Sequence, residues 1–271
     1  MIIWLASYPK SGNTWVRLFL DSLFLTKDRF NINNNYIRQF PLRRDFAGLT
    51  KNVDNQTEFA ENCLLAQDKI NLDNKIKIFK THNAFWEFNK KFFFTSEQNT
   101  LGVIHIVRDP RNVITSILNY YHKKSYDDAF EFMKTDQMIG GSEDSNGLPT
   151  IIGSWANHYR SWKKFKKNNL LIKYENLLES PKEEFFKITN FLNYNGNFNF
   201  KDKNILESIK HCKFENFSNY ENSHGFVGNP DKKQKFFNLG PKNNWQNILD
   251  NKIKEKIESE FKEEMIEIGY L

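Results

Sequence analysis

Four uninterrupted apolar residues, Ile2 to Leu5, open the chain, and turn chemistry follows at once in Tyr8-Pro9-Lys10-Ser11-Gly12-Asn13. From Thr14 to Leu25 the pattern is apolar on most sides, which predicts a buried helix. Strand, lysine-bearing loop and helix therefore come in that order. Further strands follow. Lys75 to Phe79 alternates and predicts a strand that runs into Lys80-Thr81-His82. Leu101 to Val107 is a near-continuous, β-branched apolar run, the pattern of a central parallel strand. It exits into Arg108-Asp109-Pro110-Arg111-Asn112 and then a helix. Val113, Ile114, Ile117, Leu118 and Tyr121 form the apolar side of that helix, with Pro110 in its first turn. Leu170 to Tyr174 predicts another strand and Pro181 to Tyr194 another helix with a phenylalanine-rich core face.

The remaining segments are less regular. Residues 27–53 are polar without a clean period and predict loop and short helix above the sheet. Asp54 to Ile70 predicts a helix with Asp54 as N-cap. The aromatics between Phe85 and Phe94 fit either core under a loop or the walls of a pocket. Asp127 to Ile139 predicts an amphipathic piece, Gly140 to Gly147 a mobile loop, Thr150 to Lys167 a helix, and Asn204 to Phe217 a helix. His224 to Trp245, rich in Gly, Pro and Asn and basic, predicts a loop that closes over a ligand. Asn247 to Tyr270 predicts a charged helix with a solvated face.

Composition narrows the classes. The 271 residues carry a formal charge of +6, which favours a polyanionic ligand, but no dense Lys/Arg block that would favour nucleic acid. Cys63 and Cys212 lie far apart with no metal spacing. Two such thiols fit a reducing compartment, and the first residues lack the basic and long apolar regions of a signal peptide. No run approaches the roughly 18 apolar residues of a membrane span. The expectation is a cytoplasmic protein of one domain, residues 1–271, with no internal repeat.

The chemistry concentrates at the strand exits. A helix start offers free N–H groups and partial positive charge, so it attracts anions. Lys10 adds a full charge, Ser11 and Thr14 add hydroxyls, and Gly12 admits close backbone approach. The loop lacks the Gly-x-x-x-x-Gly-Lys-Ser/Thr spacing of a Walker A motif. At Lys80-Thr81-His82 a histidine of ordinary pKa about 6.5 suits a general base. Arg108 offers a fork for phosphate, or else a capping salt bridge with Asp109. His105, inside the apolar run, reads as structural rather than catalytic, and His158 as surface or structural.

Tyr8-Pro9-Lys10-Ser11-Gly12-Asn13-Thr14-Trp15 closely resembles the 5′-phosphosulfate loop of sulfotransferases that use 3′-phosphoadenosine-5′-phosphosulfate (PAPS). Lys80-Thr81-His82 matches that family's Lys-Thr-His. Arg108 and Ser116 fall in its 3′-phosphate motif with the right spacing, and Tyr174-Glu175-Asn176-Leu177 matches a further one. The resemblance spans most of the chain. It implies a three-layer α/β/α fold around a central parallel sheet, P-loop-like in its ligand handling. It implies sulfuryl transfer from PAPS, with PAP as product and no metal, to a hydroxyl or amine of a small molecule or glycan. His82 would be the base. Lys10 would stabilise the leaving phosphate, with Lys80 beside the moving group. Ser116 would touch the 3′-phosphate and restrain Lys10. Arg108 would hold the 3′-phosphate. The nucleotide site would further comprise Ser11, Gly12, Asn13, Thr14, Trp15 against adenine, Tyr174, Cys212, Phe214, Phe236 and Gly240. For Cys212 and Phe214, two core residues fit nearly as well.

The family pattern Phe-x-Arg-Lys-Gly is broken at Asn238 and Leu239, where its phosphate-clamping Arg and Lys are absent. Lys235 or Lys242 would then supply the charge. The family's short dimer motif is missing, so its dimer mode does not carry over. Two rival classes stand beside the sulfotransferase: a nucleotide-dependent kinase on the same sheet, and a nucleotide-binding relative with weak or no catalysis.

Overall fold

The computed structural model describes residues 1–25, 31–34, 36–140, 148–229 and 235–271. The expected mobile loop from Gly140 to Gly147 lies, apart from Gly140, outside the described residues, as does part of the basic loop before Trp245. The first strand, β1 (Ile2–Ser7), leads into helix α1 (Asn13–Phe24). Helix α2 (Gln56–Asn71) precedes β2 (Lys77–Thr81), and a two-residue hairpin, β3 (Glu87–Phe88) and β4 (Phe92–Phe93), precedes β5 (Thr100–Val107). Helices α3 (Pro110–Tyr120) and α4 (Tyr126–Lys134), the strands β6 (Gln137–Ile139) and β7 (Thr150–Gly153), and α5 (Trp155–Lys163) follow. After β8 (Asn169–Lys173) come α6 (Tyr174–Glu179), α7 (Pro181–Gly196), α8 (Asp202–His211) and α9 (Phe214–His224). The chain closes with α10 (Trp245–Ile248), α11 (Asn251–Glu260) and α12 (Lys262–Ile268).

The central sheet has the order β2-β1-β5-β8, all parallel. Every residue of β1 is buried, because helices cover both faces. Successive side chains go to opposite layers. Ile3 and Leu5 pack with Leu18 and Phe19 of α1 and Phe185 and Ile188 of α7. Ile2, Trp4 and Ala6 pack with Phe59 and Cys63 of α2 and with Trp162. A third apolar cluster joins α3, α4, α5, α11 and α12. The α/β expectation therefore holds, as three layers about a parallel sheet. All four strands deliver their C-terminal ends to one edge, where open α/β sheets place their ligands.

Local structure departs from the sequence expectation at several points. Helix α2 is capped by Asn55, whose side chain accepts from Thr57 and Glu58 N–H. Asp54 instead takes a two-point ion pair from Arg43. Thr150 to Gly153 is a strand: the β-branched run pairs with β6, and Asn83 accepts from Ile151 N–H at 2.9 Å. The helix begins only after Gly153 turns at φ 67 and Ser154 caps it. The helix expected over Asn204 to Phe217 breaks at Cys212-Lys213 into α8 and α9, and the C-terminal helix breaks at Leu249-Asp250 and at Phe261. Phe85, Trp86 and Phe94 pack into the α2 layer, so the alternative of core under a loop is the one realised there.

Candidate active site

The loop after β1 is held in a conformation that few residues tolerate. Lys10 has φ 66, in the left-handed region. Gly12 has φ 100, and a Cβ there would lie 2.4 Å from Tyr174 Cδ2. Gly12 thus lets the loop fold onto a buried tyrosine ring. No side chain caps the start of α1, so its first N–H groups remain for an anion. The Asn13 amide is not part of that supply: it turns back, donating to Leu5 O and Ser7 Oγ, both at 3.1 Å.

Arg108 leaves β5 toward this loop. Its Nη1 donates to the Lys10 carbonyl oxygen at 2.9 Å and reaches Ser116 Oγ at 3.5 Å, while its guanidinium lies 4.3 Å from the Tyr174 ring centre. The alternative capping pair with Asp109 is not formed. Asp109 caps α3 and grips Arg111, which also reaches Glu258 and the Tyr270 carbonyl oxygen. That network takes up the neighbouring charges and leaves Arg108 to the cleft. Its Nε is buried without a partner, as are Ser11 Oγ and Asn243 Oδ1. Buried polar atoms are normally paired, and of these three residues Arg108 and Asn243 line a cleft open to a ligand. A phosphorylated nucleotide, with many acceptor oxygens, fits Arg108 Nε. An adenine or ribose donor fits Asn243 Oδ1.

Lys10 itself lies between two rings, its Nζ 4.0 Å from the Tyr120 centre and 4.3 Å from that of Phe236. Burial, and then the Arg108 and Lys80 charges, lower its pKa to about 7. At β2, His82 Nδ1 lies 2.8 Å from Ser7 O, so Nδ1 carries the proton and donates to that carbonyl. The Nε2 lone pair is then the basic one. Burial first, then Lys80 and Lys10, lower the imidazole pKa to about 3, which keeps it neutral at physiological pH.

One cleft of about 1000 Å³ joins these groups. Lys10, Gly12, Asn13, Thr14, Trp15, Lys80, His82, Arg108, Ser116, Tyr174, Phe214, Phe236 and Gly240 all line it. Ser11 and Cys212 do not: both stand buried behind the wall, and the Cys212 carbonyl accepts from Trp15 Nε1 at 2.8 Å. Gly240, at φ 52, leaves room for the Phe214 ring, which a Cβ would meet at 2.4 Å. Lys235 lines the cleft and Lys242 does not.

Four contributors escape the sequence reading. Lys213 lines the cleft where the predicted helix breaks. Asn243, buried, donates to Ser116 Oγ at 3.3 Å and to Asn112 O at 3.0 Å. Tyr120 forms half of the Lys10 cage. Glu221 accepts from Phe236 and Phe237 N–H and so fixes the segment that carries the other half. A lone Asn, Tyr or Glu carries no sequence signal for such a role. His105 and His158 are buried, His105 inside β5 and stacked on Tyr159.

Among the described residues no group of His, Cys, Asp and Glu is placed to hold a metal, and no helix is long and apolar enough to cross a membrane.

Comparison with known proteins places the chain among relatives of one kind. Sulfotransferase 1B1 of Canis lupus familiaris is 29% identical over 275 residues, covering 96% of this chain and 82% of that protein. Flavonol 4′-sulfotransferase of Flaveria chlorifolia is 25% identical, with 98% and 80% covered. Among solved structures, mouse sulfotransferase SULT7A1 complexed with PAP superposes with a TM-score of 0.62 at 20% identity, over 97% of this chain and 84% of that one. Retinol dehydratase, in complex with androsterone and inactive cofactor PAP, gives 0.59 at 17%, over 97% and 80%. The family profile described as sulfotransferase domain matches residues 2–269, and the chain belongs to that family.

Proposed function

We propose that the protein transfers a sulfuryl group from PAPS to an acceptor hydroxyl. The observation that carries this reading is the convergence of Lys10, Arg108 and His82 on one cleft from three neighbouring strand ends. The donor supplies an activated sulfuryl group; the chain supplies position and charge. His82 Nε2 accepts the acceptor's hydroxyl proton, with Nδ1 anchored on Ser7 O to set the ring's orientation. The Lys10 ammonium and the uncapped start of α1 meet negative charge on the 5′ side. Lys80 lies beside the sulfuryl position. Arg108 and Ser116 hold the 3′-phosphate, and Trp15 and Tyr174 flank the base.

Two relatives' structures contain PAP, and one also holds androsterone, which supports a nucleotide donor and a small-molecule acceptor. Several relatives are named cytosolic sulfotransferases, in keeping with a cytoplasmic setting. Incubation with radiolabelled PAPS and a phenol panel, against ATP with Mg²⁺, tests the reading. Transfer from PAPS alone is expected; phosphoryl transfer from ATP would favour the kinase class. Tight PAP binding without turnover on any acceptor would favour the catalytically weak relative.

A further inference from the structure

The strand order gives the cleft two ends. Lys10, Arg108 and Tyr174 issue from β1, β5 and β8, whereas Lys80 and His82 issue from β2 at the sheet's edge. Beyond β2 the segment after Ile37 adds itself as a further edge. Lys80 N–H donates to Arg38 O and Phe40 N–H to Lys80 O, both at 3.0 Å. Asp21 of α1 anchors this segment by accepting from Ile37 N–H at 2.7 Å. Ile37, Arg38 and Gln39 of this segment line the cleft at the β2 edge of the sheet.

That edge of the cleft is cationic. Arg17, Arg38, Arg44 and Lys80 line it. Asp21 balances Arg17, and Asp45 grips Arg38 with both oxygens at 2.8 and 2.9 Å. Arg43 turns away to Asp54. Among the described residues, no carboxylate pairs with Lys80 or Arg44. Lys80 belongs to the sulfuryl position in the reading above, which leaves Arg44. It is exposed to the cleft on a short 3-10 turn, Arg43–Phe46. Two-point arginine–aspartate pairs pin that turn on either side. Ile37 and Leu42 supply apolar surface beside it. A guanidinium on a braced turn, with no carboxylate partner among the described residues, presents a preformed fork for an oxyanion.

Building on the sulfotransferase reading, we propose that the acceptor is itself an anion: a hydroxyl compound whose apolar body carries a carboxylate, sulfate or phosphate that docks on Arg44 while its hydroxyl faces His82. Arg44 then selects the acceptor by charge, and the transfer chemistry stays with His82, Lys10 and Lys80.

Three phenols of similar size separate charge from shape: para-hydroxyphenylpropionate, para-propylphenol and tyramine. Their binding is measured by calorimetry with and without PAP, and their kcat/KM with PAPS. The anion is expected to bind roughly tenfold tighter than the neutral phenol, with tyramine weakest. In Arg44→Gln that preference for the anion should fall to near one, and in Arg44→Glu it should invert toward tyramine. The split should lie in KM rather than kcat. Equal or weaker binding of the anion in the wild type, an unchanged preference in both variants, or no binding by any of the three probes overturns the proposal. Failure of PAP to bind overturns the donor reading instead, and the charge preference is then read from the probes alone.

Discussion

Arg108 Nη1 donates a hydrogen bond to the Lys10 carbonyl oxygen at 2.9 Å, so the exits of β5 and β1 are tied to each other through one guanidinium. The bond spans 98 residues of sequence but only adjacent strands of the sheet. It leaves Nε buried and unmet, and it holds Lys10 at a φ that residues other than glycine rarely adopt. A ligand carrying charge at two points would satisfy both exits together.

Gly12 tests how tightly the first exit is built. Gly12→Ala places a methyl against the Tyr174 ring and puts a β-carbon at φ 100. Strain of this kind costs about 1–3 kcal/mol. A lower urea midpoint and weaker PAP binding are expected together. Adding Tyr174→Ala should recover part of the stability, since the clash is relieved and the backbone strain remains. An unchanged midpoint in Gly12→Ala would show that the loop is not held as described.

For His82, loss of the imidazole should remove the proton acceptor without touching the nucleotide end. His82→Ala is expected to lower turnover by about 10²- to 10⁴-fold, with PAP affinity changed less than about twofold. In the free protein the ring should stay neutral, so its NMR signals should show no titration between pH 8 and pH 5. Turnover near the wild-type rate would contradict the assigned role, and an inflection close to pH 6.5 would contradict the burial that keeps the ring neutral.

Lys10 links nucleotide binding to pH. Its pKa in the free protein is lowered to about 7, and an anion beside it must raise that value. Above pH 7 the free side chain is largely neutral, so binding takes up a proton there and affinity falls as pH rises, by at most about tenfold per pH unit. Below pH 6 the side chain is already charged and uptake vanishes. Calorimetry at pH 8 in buffers of different ionisation enthalpy reads the proton directly. Lys10→Arg should abolish the uptake.

Asn238 and Leu239 line the cleft without bringing charge to it, which moves the question to neighbouring cations. Lys213 and Lys235 line the cleft; Lys242 is exposed elsewhere. Alanine at Lys213 or Lys235 should each weaken PAP binding by about twofold to fivefold, as exposed charges do, and lessen its salt dependence. Lys242→Ala should leave both as they are. Equal effects from all three would reduce the contribution to net charge alone.

The exits of β1 and β5 were legible in the sequence because each pairs an apolar run with a helix start and places its charged residue at the junction. That pattern marks Lys10 and Arg108; His82, which a hairpin follows instead of a helix, is singled out by the resemblance of Lys80-Thr81-His82 to the family motif. Where the reading failed, distant partners decide the local conformation. Thr150 to Gly153 leaves the helical state because β6 and Asn83 supply its hydrogen bonds. The kink at Cys212-Lys213 presents the Cys212 carbonyl to a tryptophan 197 residues away. Asn243, Tyr120 and Arg44 acquire their roles from the packing of segments whose own patterns are unremarkable.

The central claim is that two adjacent strand exits hold opposite ends of one doubly phosphorylated adenosine. Calorimetric titration of the wild type and Arg108→Ala with PAP and with adenosine 5′-phosphate tests it most directly. The account predicts that the wild type binds PAP tighter by about tenfold to a hundredfold, the worth of one charge-assisted fork, and that Arg108→Ala binds the two nucleotides equally. Equal affinities in the wild type, or a PAP preference that survives in Arg108→Ala, would contradict it.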